Sequence, residues 1–357
     1  MWYFDLLWNE IKGKKQMIIK TGRKNLITDV PGIMVGNAED VNLRSGVTVV
    51  IPDDPAVASV DVRGGGPGSR ETEALNSDCL VDVVHAVVLS GGSAFGLDAA
   101  GGVMSYLAKK KIGFQLEDAV IPIVPSAILF DLLNGGNKDW GDVSPYAALG
   151  RKAAACSSSD FMLGNRGAGL GAVAGGIKGG LGSASFVYED GGNVITIGAI
   201  AAVNSMGSVT MPESAVMWAA PFEQGNELGG QPAPEKRNGF DLDYTFELPV
   251  GKNTTLVVVA TDAVLTKPQA RRVAIMAQDG LARAIRPVHS PFDGDSLFVL
   301  STGKQIPADP IVSIARLGML AGDCVARAVA RGVYEAVSFG GFESYQERFG
   351  SQLLRKL

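Results

Sequence analysis

Glycine sets the first constraint on what this chain can fold into. It supplies 46 of 357 residues, well above the roughly 7% of an average protein, and it is clustered, not periodic. One cluster is Arg63-Gly64-Gly65-Gly66-Pro67-Gly68, a second is Ser90-Gly91-Gly92-Ser93-Ala94-Phe95-Gly96, and a third runs over residues 164–182. Clusters without a period exclude collagen-like and linker architectures. A residue without Cβ lets backbones approach one another or a ligand. The chain should therefore be a tightly stacked fold with its close approaches concentrated in three places.

Between the clusters the periodicity alternates between strand and helix. Residues 46–51 read as a strand, and Ala58, Val60 and Val62 alternate with polar neighbours like a second. Residues 86–89 form a short apolar run, 120–124 a further strand, and 186–188, 195–204 and 208–209 suggest strands around a bend. The run 253–262 is rich in β-branched residues and predicts a well-buried strand, with another over 296–301. Helical spacing covers 96–112, with Leu97, Ala100, Met104 and Leu107 on one side. A helix is expected over 267–285, with Thr266 as N-cap and Pro268 near its first turn. Another is expected over 311–337, with Gly322 as a candidate interruption, and the polar stretch 224–239 is the best loop. Strands enclosed by helices suggest a layered α/β sandwich forming one domain over 17–357, without the βαβ fingerprint of a Rossmann fold. Residues 1–16 read as an amphipathic N-terminal extension suited to docking on a neighbour, or as the product of an upstream start codon, with Met17 the alternative start.

Composition removes several function classes. Apolar residues make up 46% and charged residues 19%, the balance of a core-rich globular protein. The net charge is −5, and no basic face is clustered enough for nucleic acid; Lys109-Lys110-Lys111 reads as the solvated end of a helix. No stretch approaches the ~18 continuous apolar residues of a membrane span. The start lacks the basic region and cleavage site of a signal peptide, so a cytoplasmic protein is expected. Cys79, Cys156 and Cys324 are widely spaced and read as buried free thiols in a reducing compartment. With two histidines, a His-based zinc site is not expected, and no metal or external cofactor is implied. His85 sits in an apolar run and reads as a core histidine, which leaves His289 as the only one near plausible chemistry.

Single motifs are weak. Gly64-Gly65-Gly66-Pro67-Gly68 lacks the pattern of a phosphate loop and reads as a structural or oxyanion-facing loop. Around Ser93 the closing glycine of a nucleophile elbow comes one residue late, and no histidine partner is placed for it. The helix start there instead offers N–H groups to a substrate oxygen. Asp293-Gly294-Asp295 puts two carboxylates beside His289 but is too short for a metal loop, and alone it reads as a turn. Lys178, isolated among glycines, reads by residue type as a solvated side chain or as a cation facing a site.

Together these pieces resemble one family. The anchors are Asp29-Val30-Pro31-Gly32-Ile33-Met34-Val35-Gly36, Arg63-Gly64-Gly65, Leu89-Ser90-Gly91-Gly92-Ser93-Ala94-Phe95-Gly96-Leu97, Gly167-Ala168-Gly169, the segment around Asn204, and Asn253-Thr254-Thr255 before Val259-Ala260-Thr261-Asp262. In that order, over about residues 25–302, the chain resembles the self-cleaving peptidases that include L-aminopeptidase/D-Ala-esterase/amidase, the β-peptidyl aminopeptidases and the nylon-oligomer hydrolases. The resemblance implies a four-layer αββα sandwich of the N-terminal-nucleophile kind. It also implies autocleavage between Asn253 and Thr254, giving a large chain 1–253 and a small chain 254–357. The logic of such a cut is independent of the family. A threonine hydroxyl is a weak nucleophile until a base takes its proton. With no suitable histidine, the freed α-amino group of Thr254, whose ordinary pKa is about 7.7–8.0, can serve.

The remaining roles come from the same resemblance, position by position. Asn204 corresponds to an asparagine that donates to the oxyanion or positions the nucleophile. Lys178 corresponds to the lysine of the nylon-oligomer hydrolases. Asp293 and Asp295 correspond to the acidic pair of that branch, which orients the amino group; the aminopeptidase branch has Ser and Glu there. Gly92, Ser93 and Gly65 are expected on a substrate or oxyanion loop. Phe130-Asp131 stands where the family has a tyrosine before an aspartate, so a hydroxyl that assists the oxyanion is missing. The implied activity is hydrolysis of short peptides, amino-acid amides or ω-amino-acid oligomers through an acyl-enzyme, in a homotetramer. The alternatives are an ornithine-acetyltransferase-like acyltransferase and a non-catalytic binding protein on the same fold, the latter favoured only by Phe130.

Overall fold

The structure, a computed structural model, describes residues 18–232 and 253–354. The expected extension 1–16 and residues 233–239 of the expected loop lie outside the described residues. The main strands are β1 (Ile33–Asp40), β2 (Ser45–Pro52), β3 (Ala56–Val62), β4 (Val87–Ser90), β5 (Ser126–Ile128), β6 (Gly180–Asp190), β7 (Asn193–Asn204), β8 (Thr254–Ala263) and β9 (Ser296–Gln305). The helices are α1 (Asp98–Lys109), α2 (Tyr146–Ala155), α3 (Lys267–Ala277), α4 (Asp279–Ala284), α5 (Pro310–Tyr334) and α6 (Tyr345–Leu354).

A seven-stranded sheet runs in the order Ile19–Lys20, β6, β7, β8, β9, β3, Val83–Val84. A five-stranded sheet runs β1, β2, β4, β5, Ser69–Arg70. β8 is central, antiparallel to β7 and parallel to β9. It is buried on both faces. Val257 and Val259 enter the core shared with α3, α4 and α5, while Leu256, Val258 and Ala260 enter the core between the two sheets. A strand covered on both sides reads as a continuous apolar run, here residues 256–260. A third core joins Val47, Val49 and Val88 of the small sheet to Val103 and Leu107 of α1 and Tyr146 and Ala153 of α2. The layers are thus helices, large sheet, small sheet, helices: the expected αββα sandwich.

The third glycine cluster is where β6 meets α5. A Cβ built on Gly182 would stand 1.9 Å from the Ala328 carbonyl oxygen, so the helix backbone rests directly on the strand. The helix expected over 267–285 is two, α3 and α4, which meet at Gln278, whose buried amide donates to the Asp61 carbonyl at 2.7 Å. α5 runs unbroken through Gly322. The close packing there depends on Gly280 of α4, where a Cβ would lie 2.2 Å from the Gly322 carbonyl oxygen. The strand expected over 120–124 is divided. Ala119–Ile121 pairs with Phe114–Leu116 in a surface hairpin, and Pro122 and Pro125 remove two donors before β5 begins. Residues 208–209 contribute only an isolated bridge, Ser208 to Arg286. His85 is a core residue, accepting the Ile123 N–H at Nδ1. Cys324 is buried, but Cys79 and Cys156 are exposed, which revises the expectation of three buried thiols. Among the described residues no helix is long and apolar enough to cross a membrane.

Candidate active site

β8 places Thr254 at its first position, directly across from Asn204, the last residue of β7. On the other side β9 starts two residues further in, at Ser296 opposite Leu256. The Asp293-Gly294-Asp295 turn that leads into β9 therefore lies alongside the backbone of residues 253–255, and Asn253 bridges to Asp293. The five residues singled out by sequence for catalysis are buried: Thr254, Asn204, Lys178, Asp293 and Asp295.

The Gly294 N–H makes the central contact. It lies 3.0 Å from the Asn253 carbonyl oxygen and 3.1 Å from Thr254 Oγ1. The Thr254 hydroxyl in turn donates to the Asn253 carbonyl oxygen at 2.5 Å. Asp295 accepts the Thr255 N–H at Oδ1 (2.8 Å). Its Oδ2 lies 3.1 Å from the His289 N–H and 2.9 Å from His289 Nδ1. Asp293 Oδ2 accepts from the Ser290 N–H at 3.0 Å and the Ser290 hydroxyl at 2.6 Å, and its Oδ1 takes the Met206 N–H at 3.3 Å. Burial, and then the neighbouring Asp295 carboxylate, push the Asp293 carboxyl above the usual range.

Asn204 is oriented from both ends. Its Oδ1 accepts the Val173 N–H at 2.9 Å and its Nδ2 donates to the Phe130 carbonyl at 3.1 Å. Lys178 is not a solvated side chain. Its Nζ donates to the carbonyls of Gly169, Ala172 and Gly179 at 3.0, 2.9 and 2.6 Å. Three carbonyls match the three donors of an ammonium, while desolvation opposes the charge and brings the group down to about 7. The cradle is built from the third glycine cluster and holds the segment that presents the Val173 N–H to Asn204.

A pocket of about 180 Å³ opens beside these groups, with Phe130, Asp131, Leu133, Asn204, Asn253 and Phe342 in its wall. The Asp131 carboxylate is set by the Gly92 N–H (2.8 Å to Oδ1) and the Ser45 hydroxyl (2.6 Å to Oδ2), with Tyr146 donating on to Ser45. Burial raises its pKa. The three loop residues expected to face the substrate have their N–H groups engaged inside the fold: Gly92 with Asp131, Ser93 with the Leu129 carbonyl at 3.0 Å, and Gly65 with the Ser290 carbonyl at 3.2 Å. They position the wall and the acidic turn and are not part of the pocket lining.

Sequence reasoning passed over two groups at this site. The Gly294 N–H sits between the two acids of Asp293-Gly294-Asp295, and a backbone donor carries no signature of its own in a sequence. Asp131 stood next to Phe130 but gave no sign of being held by Ser45, 86 residues away.

Comparison with known proteins identifies relatives along most of the chain. The model of peptidase family S58 matches residues 25–346. A protein of Mycobacterium tuberculosis (strain H37Rv), described as an uncharacterized aminopeptidase, is 41% identical over 91% of this chain and 98% of its own length. A 6-aminohexanoate-oligomer endohydrolase of Kocuria sp. is 28% identical over 84% of this chain and 81% of its own. Among solved structures, the L-aminopeptidase D-Ala-esterase/amidase of Ochrobactrum anthropi superposes with a TM-score of 0.68 at 21% identity, over 94% of this chain and 95% of that one. It is described as a variant of the Ntn-hydrolase fold. A Burkholderia β-aminopeptidase gives 0.68 at 24% identity, over 97% and 98%.

Proposed function

The chain belongs to peptidase family S58, and within that family we propose that it is a self-processing amide hydrolase whose nucleophile is Thr254. The observation that carries the reading is the Gly294 N–H shared between the Asn253 carbonyl oxygen and Thr254 Oγ1. In the processing step Thr254 Oγ attacks the Asn253 carbonyl carbon. The C–N bond to Thr254 breaks, the hydroxyl proton ends on the Thr254 nitrogen, and an ester joins Asn253 to the threonine oxygen. The charge that gathers on the Asn253 oxygen faces the Gly294 N–H, a fixed backbone donor in a buried place. Water then hydrolyses the ester, leaving a carboxylate on Asn253 and a free hydroxyl and α-amine on Thr254.

Turnover uses the same groups. The α-amine takes the hydroxyl proton as Oγ attacks a substrate amide carbonyl, and gives it to the departing amine. Water releases the acyl group from the threonine oxygen. Phe130 has no hydroxyl to offer, so Asn204 Nδ2 and the Gly294 N–H carry the oxyanion. Asp293 and Asp295 orient the new amine, and Lys178 fixes the segment that orients Asn204. The pocket is small and sets the apolar side chains of Phe130, Leu133, Val173 and Phe342 beside the amides of Asn134, Asn204 and Asn253. It suits short peptides and amino-acid amides, the substrate range suggested by relatives named aminopeptidase and 6-aminohexanoate-oligomer endohydrolase. Assembly as a homotetramer is part of the same proposal.

Intact mass and N-terminal sequencing of freshly purified protein test it. Two chains are expected, the smaller beginning Thr-Thr-Leu-Val-Val. Thr254→Ala should remain a single chain of 37.2 kDa without amidase activity. A wild type that stays uncut, or a Thr254→Ala protein that still splits at this bond, refutes the reading.

A further inference from the structure

Asp295 has two oxygens and two different duties. Oδ1 holds the amide of Thr255, the residue directly after Thr254, and Oδ2 is held by His289 through both its backbone N–H and its ring. A carboxylate only accepts, so the ring nitrogen at 2.9 Å carries a proton. The ring's Nε2 is buried without a hydrogen-bond partner among the described residues. The ring does not meet the Thr254 hydroxyl, whose contacts are the Asn253 carbonyl and the Gly294 N–H. It is therefore badly placed as a base and well placed as an anchor. The backbone supports this: His289 has φ +55°, a left-handed conformation that non-glycine residues adopt rarely unless their surroundings fix it.

We propose that His289 is a positioning residue for the nucleophile: by donating from Nδ1 to Asp295 Oδ2 it fixes the carboxylate whose other oxygen pins the Thr255 amide, and so sets the rotation of Thr254. The inference rests on the reading of Thr254 as nucleophile and adds a residue to it. Nothing in the sequence pattern of the acidic pair requires a histidine four positions before it.

The test compares two substitutions of equal shape. His289→Asn and His289→Asp both suit a left-handed backbone; the first returns a donor towards Asp295 and the second presents an acceptor. The appearance of the fragment starting at Thr254, and kcat and KM on an aminoacyl p-nitroanilide that the wild type hydrolyses, are measured for each. His289→Asp should lower the processing rate and kcat by about 10- to 100-fold, with KM within about threefold, as expected for a misplaced reacting group. His289→Asn should stay within about threefold of wild type on all three. His289→Gly, which keeps the backbone and removes the ring, stands in if the aspartate variant does not fold, and should be as slow. Asn and Asp variants that behave alike, or a Gly variant at wild-type rates, overturn the inference alone. A wild type never cut at Asn253–Thr254 overturns the reading beneath it, and this inference with it.

Discussion

A Cβ built on Gly294 would stand 2.6 Å from Thr254 Oγ1. The space beside the hydroxyl is thus reserved for a residue without a side chain, and the same residue supplies the N–H that faces the Asn253 carbonyl. Gly294→Ala should fold but push the hydroxyl off the carbonyl. Displacement of a reacting group by about 1 Å costs on the order of 100-fold, so processing should slow at least that much. Mass spectra taken over a time course decide it; an alanine variant that matures at the wild-type rate would show that the close contact is not required.

Lys178 gives stability a distinctive dependence on pH. Its folded pKa is about 7, against about 10.4 in an unfolded chain. Between these values the unfolded chain holds a proton that the folded chain has lost. Stability therefore rises with pH in this window, by up to about 1.4 kcal/mol per unit, and the gain is lost as pH falls back through 7. Lys178→Met removes this titration. Urea denaturation at pH 7 and pH 9, both in an uncut Thr254→Ala background, should show a flatter pH dependence for the methionine variant.

Arg327 has no exposed side-chain surface and pairs with Glu227, Nε to Oε1 at 2.5 Å and Nη2 to Oε2 at 2.8 Å. Removing one partner of a buried pair costs about 3–5 kcal/mol, and the lower end is expected here because Glu227 keeps Arg331 Nε at 3.7 Å and the Asn25 amide. Arg327→Met should lose stability in that range in chemical denaturation of the Thr254→Ala protein. Adding Glu227→Gln should recover part of the loss, and a double variant as unstable as the sum of the singles would contradict the coupling.

The Thr255 hydroxyl is buried without a partner among the described residues, although the Thr255 N–H is well bonded. Thr255→Val keeps the shape and removes an unsatisfied polar atom. Its stability should match or exceed that of wild type by up to about 1 kcal/mol, with processing intact; a loss of stability would mean that the hydroxyl has a use.

Much of this architecture was readable because it follows from short-range pattern. The buried strand β8 announces itself by β-branched residues, and Thr266 and Pro268 mark the start of α3, whose N-terminus carries a Thr266–Gln269 capping box. α2 was missed: its alanines and Gly150 fit under no clear apolar stripe, because the helix packs by small residues against Gly102 and Ala99 of α1. At the site, side-chain types were legible and connections were not. Lys178 reads as a surface residue until the fold folds three carbonyls around it. Gly92, Ser93 and Gly65 read as substrate-facing donors because sequence cannot show that each N–H already has an acceptor.

The weave of the large sheet has a consequence for the life of the molecule. β8 and β9 lie between β7 on one side and β3 on the other, so strands after position 253 are enclosed by strands before it. Nothing short of opening the sheet can separate them. Before the cut, unfolding and refolding concern a single chain; after it, refolding would require two polypeptides to find each other and interleave. Processing at Asn253–Thr254 would thus act as a ratchet on folding history. The mature protein would persist by the slowness of its unfolding and not by an equilibrium it can revisit, and heat inactivation of the cut form should be irreversible where that of the uncut form is not.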